Sequence, residues 1–236
     1  MSEPIRLQLF MARCGVASRR RCEQYIREGR VTVNGMPATI GTKVGASDQV
    51  RLDGRRLTPE AGLAYIVVNK PRGYLCSNQD ERNRPLVKDL LRRIPYRLYH
   101  VGRLDFASSG LIFYTNDGSF ARLVSHPSSE IEKEYLIESS RPIPEELLTR
   151  YQAGIRIGGE SYRLKRYRYA SPKRAFLTLI EGKNREIRKV FEAMGLHLNR
   201  IHRTRIGCVT DKGLPVGRYR RLEPAELDWF FRKGKL

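Results

Sequence analysis

The ten residues 102–111, which read GRLDFASSGL, constrain the fold of this chain more than any other stretch. A single carboxylate, that of Asp105, lies between an arginine and a run of small residues, and glycines stand on both sides. The apolar run Leu-Ile-Phe-Tyr follows at 111–114. Because glycine and small residues allow tight turns and a short apolar run is typical of a buried strand, the pattern predicts a loop that presents one acid just before a core strand.

The charge of the chain indicates a polyanionic partner. Its 236 residues include 45 Lys and Arg against 25 Asp and Glu, a formal net charge of +20 at pH 7. Solubility does not require so much charge, so we expect nucleic acid as the partner, ahead of a membrane surface. Scattered surface charge on a ribosome-associated protein is the alternative, but the chain favours arginine, which pairs with phosphates bidentately and stacks on bases.

Several kinds of site find no support in the sequence. The four cysteines lie far apart without a CxxC pair, so we expect reduced thiols in the cytoplasm rather than disulfides or a zinc site. The histidines show no metal spacing, and there is no GxGxxG or Walker loop, so neither a metal nor a nucleotide cofactor is expected. No apolar run resembles a signal peptide or a membrane span.

The sequence predicts an α+β protein of two domains, 1–58 and 63–236, joined by a short linker. In the first, Ser18 caps a helix over 19–28, and Asn34-Gly35 and Asp53-Gly54 are hairpin turns. In the second, strands and helices mix without a repeated βαβ pattern, which favours a mixed, largely antiparallel sheet. Strands are expected at 64–68, 111–115, 135–137, 176–180 and 198–209, and helices at 119–126, 144–153, 184–194 and 224–233.

Four arginines of the first domain, Arg19, Arg20, Arg27 and Arg30, can share the exposed side of the helix and its following turn. A solvated helix face is the ordinary explanation of such a run, but few acids compensate it here. The segment, with Ser18-Arg19 before the helix and Gly-Arg-Val-Thr-Val-Asn-Gly at 29–35, resembles the S4 RNA-binding domain. The resemblance implies binding of structured ribosomal RNA through shape and backbone contacts.

Three further segments accompany the Asp105 loop: Asn-Lys-Pro-Arg-Gly at 69–73, Lys-Glu-Tyr at 133–135 and Glu-Gly-Lys-Asn-Arg-Glu-Ile-Arg-Lys at 181–189. Together the segments resemble the pseudouridine synthases, in the branch with an N-terminal S4 domain (the RsuA family), over nearly the whole chain. The resemblance implies that uridine is isomerised without a cofactor. It implies that Asp105 is the catalytic carboxylate, that Arg188 pairs with it, and that Tyr135 stacks on the extruded base.

Whether Asp105 attacks the sugar, adds to the base or removes a ribose proton stays open at this point. Each of these residues, considered without the motifs, is more often structural than catalytic. An aspartate is usually a turn residue, a tyrosine in a strand is usually a core residue, and an arginine on a helix is usually a surface charge. Two assignments are less direct. Ile206 or Leu214 is expected to pack under the base, and Arg103 is expected to help extrude the uridine. The remaining basic residues of these motifs are expected on the RNA backbone: Lys70, Arg72, Lys183, Arg185 and Lys189.

The expected substrate is ribosomal RNA or an assembly particle, with 23S favoured over 16S by resemblance, and the protein is expected to be a monomer. Phe106-Ala107 and Glu186 depart from the family pattern, which bears on the choice of substrate. A non-catalytic rRNA-binding assembly factor is the main alternative. An RNA methyltransferase or a tRNA synthetase would need a nucleotide-binding motif that the sequence does not contain.

Overall fold

The structure is a computed structural model that describes residues 3–60 and 62–234. It divides into two compact units, Met1–Leu63 and Ala64–Leu236. Within the described residues, no helix is long and apolar enough to cross a membrane.

The first unit packs two helices against short strands. Its sheet has the order β3-β2-β5-β6, and β1 pairs separately with β4. Its core contains Leu7, Met11, Cys22, Ile26 and Val31. The helices are α1 (Leu7–Arg13) and α2 (Arg19–Arg27), and the strands are β1 (Ile5–Arg6), β2 (Val31–Val33), β3 (Met36–Pro37), β4 (Lys43–Val44), β5 (Val50–Leu52) and β6 (Arg55–Arg56).

Local signals in the first unit are confirmed. The hydroxyl of Ser18 accepts a hydrogen bond from the backbone of Arg21 and so caps α2, as predicted. Both predicted hairpin turns have positive φ at their two central residues, 52° and 83° at Asn34-Gly35 and 48° and 79° at Asp53-Gly54. Asparagine, aspartate and glycine tolerate that conformation best, which is why these pairs specify the turns.

The second unit is built on a nine-stranded sheet of order β13-β14-β10-β15-β9-β7-β17, with β16 on β15 and β8 on β9. Its strands are β7 (Tyr65–Lys70), β8 (Tyr99–Val101), β9 (Ser109–Thr115), β10 (Lys133–Ser139), β11 (Ile155–Ile157), β12 (Glu160–Tyr162), β13 (Arg166–Ser171), β14 (Arg174–Leu179), β15 (Leu198–Ile206), β16 (Val209–Thr210) and β17 (Tyr219–Arg221). Its α-helices are α3 (Gly118–Ser125), α4 (Glu145–Ala153), α5 (Glu186–Ala193) and α6 (Pro224–Lys233), and 3-10 helices lie at Val87–Leu91 and Pro127–Ser129.

The central strands are buried on both faces. Ile112 and Tyr114 of β9 belong to one apolar cluster, whereas Leu111 and Phe113 belong to another. Since successive strand residues point to opposite faces, an unbroken apolar run is what a doubly covered strand requires. The α+β class and the mainly antiparallel sheet agree with the sequence-based expectation. Among the strand pairs described, β9 with β15 is parallel.

Some element boundaries differ from the predictions. The strand expected over 198–209 is two strands, because the chain turns at Gly207, where φ is 58°. Helix α5 begins at Glu186 rather than at 184, because Arg185 adopts a left-handed conformation with φ of 53°. The hairpin β11–β12 and the edge strand β13 were not predicted. The first four residues of β13, Arg-Tyr-Arg-Tyr, alternate polar and aromatic side chains, which is a strand signal that the sequence analysis overlooked.

Gly110 allows β9 and β15 to run side by side. It lies opposite Arg203 in the parallel ladder and has a φ of 109°. A Cβ atom there would come within 2.8 Å of the carbonyl carbon of Arg203, and closer still to its backbone nitrogen and oxygen. Only glycine fits this contact, because both the conformation and the space exclude a side chain.

We therefore expect Gly110→Ala to destabilise the second unit severely. Gly154→Ala is the matched control, since Gly154 has a similar φ of 116° but a Cβ atom added there would meet nothing within 4 Å. The control should lose about 1–3 kcal/mol of unfolding free energy from backbone strain, and Gly110→Ala should lose clearly more. Urea unfolding followed by circular dichroism measures both, and equal losses would contradict the steric account.

Candidate active site

The three residues predicted to be catalytic line one pocket. Asp105 comes from the turn between β8 and β9, Tyr135 from β10 and Arg188 from α5. The Nε atom of Arg188 lies 4.0 Å from Oδ2 of Asp105. The other lining residues are Arg103, Leu104, Ser108, Leu179, Gly182, Lys183, Arg185, Glu186, Ile187 and Ile201.

Asp105 and Arg188 form an ion pair at the mouth of this pocket. The side chain of Asp105 is 38% exposed, so the carboxylate remains accessible, whereas that of Arg188 is 13% exposed. Burial lowers the pKa of Arg188, and the carboxylate of Asp105 opposes that effect. A guanidinium stays protonated in proteins, so Arg188 presents a fixed positive charge that orients the carboxylate.

Lys70 holds the turn that carries Asp105. Its Nζ atom donates to the backbone carbonyls of Asp105 at 3.0 Å, Ser108 at 2.6 Å and Pro71 at 3.1 Å, and the residue is fully buried. The prediction that Lys70 contacts the RNA backbone is therefore wrong, because its ammonium faces the interior. Burial lowers the pKa of Lys70 to about 8.

Arg203 was missed by the sequence analysis. It lies on β15 directly behind Tyr135 and is 5% exposed. Its Nε donates to the carbonyl of Leu111 at 2.6 Å, and its Nη1 donates to the hydroxyl of Tyr135 at 3.3 Å. No local signal marked it, because its neighbours in sequence, His202 and Thr204, are polar, as on an exposed strand.

The apolar wall of the pocket is made by Leu179 and Ile201 rather than by the predicted Ile206 or Leu214. Ile206 and Leu214 belong to the apolar cluster on the other side of the sheet. Ile201, in contrast, belongs to the cluster that contains Tyr135 and Leu179. The expectation that Ile206 or Leu214 packs under a base is therefore wrong.

Of the basic residues predicted to contact RNA, Arg103, Lys183 and Arg185 line the pocket, and most of the basic residues of these motifs have protein partners. Lys183 lies 3.5 Å from Glu181, Arg185 lies 3.4 Å from Glu192 and Lys189 lies 2.9 Å from Glu160. Arg72 donates to a backbone carbonyl at 3.3 Å, and Arg103 is exposed. Exposed ion pairs of this kind are weak, so these cations remain able to exchange a carboxylate for a phosphate.

In the first unit, Arg19, Arg20 and Arg27 are exposed on α2, as the sequence predicts. Arg30 is differently placed. It pairs with Asp53 at 2.6 Å, and its guanidinium lies 4.5 Å from the ring centre of Tyr25.

Glu186, a departure from the family pattern, supports the pocket from inside. Its carboxylate accepts hydrogen bonds from the hydroxyl of Tyr151 and the backbone N–H of Lys183, both at 3.0 Å. Burial raises the pKa of Glu186. The residue therefore fixes the turn at 183–186 rather than facing the substrate as a free base.

A serine, a histidine and an aspartate also form a hydrogen-bonded row. The hydroxyl of Ser109 lies 2.8 Å from Nδ1 of His202, and Nε2 of His202 lies 2.9 Å from Asp211. This order is that of a hydrolase triad, but Ser109 is 5% exposed within β9 and cannot meet a substrate. The row ties β9 to β15. Elsewhere in the described chain, no group of three His, Cys, Asp or Glu residues is placed to hold a metal ion.

The buried ammonium of Lys70 should make stability depend on pH. Its pKa falls from an ordinary 10.5 to about 8 in the fold, so the unfolded chain holds the extra proton between these values. Burying the protonated ammonium lowers the unfolding free energy by its full amount below pH 8. This loss becomes smaller as the pH rises to 10.5. Relative to Lys70→Met, the wild type should gain up to about 1.4 kcal/mol of unfolding free energy per pH unit in that window.

Urea unfolding followed by the fluorescence of Trp229, the single tryptophan, measures this difference at pH 7, 8, 9 and 10. Lys212→Met is the control, because Lys212 is exposed. A pH profile that is the same for both variants would contradict the assignment.

Comparison with known proteins places this geometry in a family. The model of the RNA pseudouridylate synthase family matches residues 64–193, and that of the S4 domain matches residues 5–50. An uncharacterized RNA pseudouridine synthase of Borreliella burgdorferi is 42% identical over 90% of this chain and 87% of its own length. The ribosomal large subunit pseudouridine synthase B of Bacillus subtilis is 39% identical over 94% of this chain and 93% of its own length. The dual-specificity RNA pseudouridine synthase RluF of Escherichia coli is 34% identical over 97% of this chain and 79% of its own length.

The fold agrees with these sequence matches. A crystal structure of a pseudouridylate synthase superposes with a TM-score of 0.70 and 28% identity, over 96% of this chain and 99% of the other. Sequence, fold and pocket thus lead to one assignment: the chain belongs to the RNA pseudouridylate synthase family, in the group that carries an N-terminal S4 domain.

Proposed function

We propose that this protein converts a uridine of 23S ribosomal RNA to pseudouridine, with Asp105 as the catalytic carboxylate acting on a uridine turned out of its helix. The observation that carries the proposal is the meeting of Asp105 and Arg188 in a pocket backed by Tyr135. Relatives whose names specify ribosomal large subunit and RNA pseudouridine synthases support the RNA substrate.

The reaction needs no outside reagent, because the product is an isomer of the substrate. The bond between C1′ and N1 breaks, and its electron pair remains on the uracil. The base then turns, and C5 forms a bond to C1′. The proton displaced from C5 is lost, and N1 gains one, so atoms and charge balance. Asp105 initiates this sequence by one of three routes, through the sugar carbon, the base or a ribose proton.

Different residues of the pocket have different roles in holding the base and the carboxylate. The ring of Tyr135 and the side chains of Leu179 and Ile201 form the apolar walls, which suit a flat uracil ring. Arg188 orients the carboxylate of Asp105, and Lys70 fixes the turn from behind. A uridine in a duplex would reach this pocket only by leaving the stack. Arg103 is exposed beside Asp105, which supports the proposal that it contacts the phosphate or fills the space left by the uridine.

The first test maps pseudouridines in both ribosomal RNAs of cells that lack this protein. One position of 23S RNA should be uridine instead of pseudouridine, and the wild-type gene should restore it. Asp105→Asn should not restore it, because the amide keeps the size of the side chain but cannot act as a nucleophile or base. Asp228→Asn is the matched control, since Asp228 is exposed on α6, and it should restore the modification fully.

Each other outcome contradicts a stated part of the proposal. A missing position in 16S RNA would overturn the choice of subunit but not the reaction. Restoration by Asp105→Asn would overturn the role of the carboxylate. An unchanged modification map, together with defective ribosome assembly, would support a non-catalytic assembly factor instead.

RNA binding should depend strongly on salt through α2 of the S4 unit. Replacing Arg19, Arg20 and Arg27 by glutamine should lower the slope of log affinity against log salt by roughly 2 to 3, because each phosphate contact contributes about 0.7 to 0.9. Filter binding to a ribosomal RNA fragment between 50 and 300 mM KCl measures the slope.

The control triple variant replaces the exposed Arg92, Arg93 and Arg232 by glutamine and removes the same charge. It should leave the slope nearly unchanged. If the two triple variants lower the slope equally, the effect is one of net charge, and α2 is not an RNA contact.

A further inference from the structure

We propose that Arg203 is a positioning residue that stabilises the negative charge arising on uracil during the isomerisation, acting through the hydroxyl of Tyr135. This inference rests on the proposed function and deepens it. Nothing in the sequence motifs or the family comparison assigns such a role to this position.

The first support is the geometry around Tyr135. The guanidinium carbon of Arg203 lies 5.8 Å from the centre of the tyrosine ring, and its Nη1 donates to the tyrosine hydroxyl at 3.3 Å. Tyr135 is 8% exposed and lines the pocket, whereas Arg203 is 5% exposed and lies behind it. With its oxygen accepting this bond, the tyrosine hydroxyl is left with its own proton to donate into the pocket.

The second support is that the positive charge of Arg203 is uncompensated. Its Nη2 atom is buried and has no hydrogen-bond partner among the described residues, and no carboxylate within that part of the chain forms an ion pair with it. Leaving a buried charge without a counterion is costly. Such a cost is expected where a site is complementary to a charge that appears only during the reaction.

The third support is that neighbouring cations enlarge the same positive region. Lys70 is fully buried and Lys133 half-buried, and both donate to backbone carbonyls rather than to carboxylates. Burial lowers the pKa of each to about 8, with the charge of Arg203 contributing. The interior behind the base is therefore rich in positive charge, while the carboxylate of Asp105 lies at the mouth.

The chemistry requires such a region by any route open to Asp105. If the C1′–N1 bond breaks first, through attack on the sugar carbon or through removal of a ribose proton, uracil departs with the electron pair of that bond and is an anion. If the carboxylate adds to the base first, the charge moves onto a carbonyl oxygen of the ring. In both cases negative charge develops on the uracil, and a cation behind the tyrosine stabilises it more than it stabilises neutral uridine.

The test compares Arg203→Gln, Arg203→Lys and the control Arg205→Gln. Arg205 lies on the same strand but pairs with Glu132 at 3.0 Å, outside the pocket. Thermal unfolding by circular dichroism first checks that each variant folds. Arg203→Gln should lower kcat on a ribosomal RNA substrate about 100-fold or more and change KM little. Arg203→Lys keeps the charge and should lose less than about 10-fold, and the control should match the wild type.

A second substrate separates charge stabilisation from a structural role. Fluorine at C5 withdraws electrons, so the anion of 5-fluorouracil is intrinsically more stable and needs less help from a cation. The loss caused by Arg203→Gln, measured as disappearance of intact 5-fluorouridine from the RNA, should therefore be at least several-fold smaller than the loss on uridine. If Arg203→Gln does not fold, the same comparison is made with Arg203→Lys.

A double-mutant cycle with Tyr135→Phe tests whether the effect passes through the hydroxyl. In that background, Arg203→Gln should cause little further loss. Equal losses on the two substrates, equal losses for the Gln and Lys variants, or additive losses with Tyr135→Phe would overturn the inference. Inactivity of the wild type on ribosomal RNA would instead overturn the proposed function, so the two failures are distinguishable.

Discussion

The close approach of β9 and β15 at Gly110 is the constraint on which the pocket depends. The ladder pairs Gly110 with Arg203, and β15 in turn pairs with β10 on its other edge, which places Arg203 opposite Tyr135. The Asp105 turn enters β9 just before this contact, so one backbone contact sets the distance between the acid and the tyrosine. Apolar clusters on both faces of the sheet hold the strands in this register.

Much of this arrangement could be predicted from local patterns. The GRLD turn before an apolar run located Asp105 in a loop, and the cap at Ser18 and the two hairpin turns were confirmed, because each depends on residues that are adjacent in sequence. The family resemblance joined Asp105, Tyr135 and Arg188, which no spacing argument could do. Contacts between distant residues depend on strand order and register, which local propensity does not encode.

The errors have the same physical origin. Lys70 was assigned to RNA because lysines are usually exposed, yet three backbone carbonyls accept from its ammonium inside the fold. Ile206 was assigned to the base because it is apolar and near the right motif, but it lies on the opposite face of β15 from Ile201. Arg203 was overlooked because a buried arginine has no distinctive local signature. In each case the neighbours that decide the role come from another strand.

Lys70 holds the Asp105 turn by main-chain oxygens alone, and this has a consequence for how such enzymes diversify. Every residue type supplies the same carbonyl, so the identities of the side chains at 106 and 107 are free of the task of keeping the acid in place. Phe106, which is 42% exposed, can therefore be exchanged in the course of evolution without moving Asp105. The turn thus has two parts. Lys70 and Asp105 must be kept, whereas positions 106 and 107 can change under selection for new RNA targets.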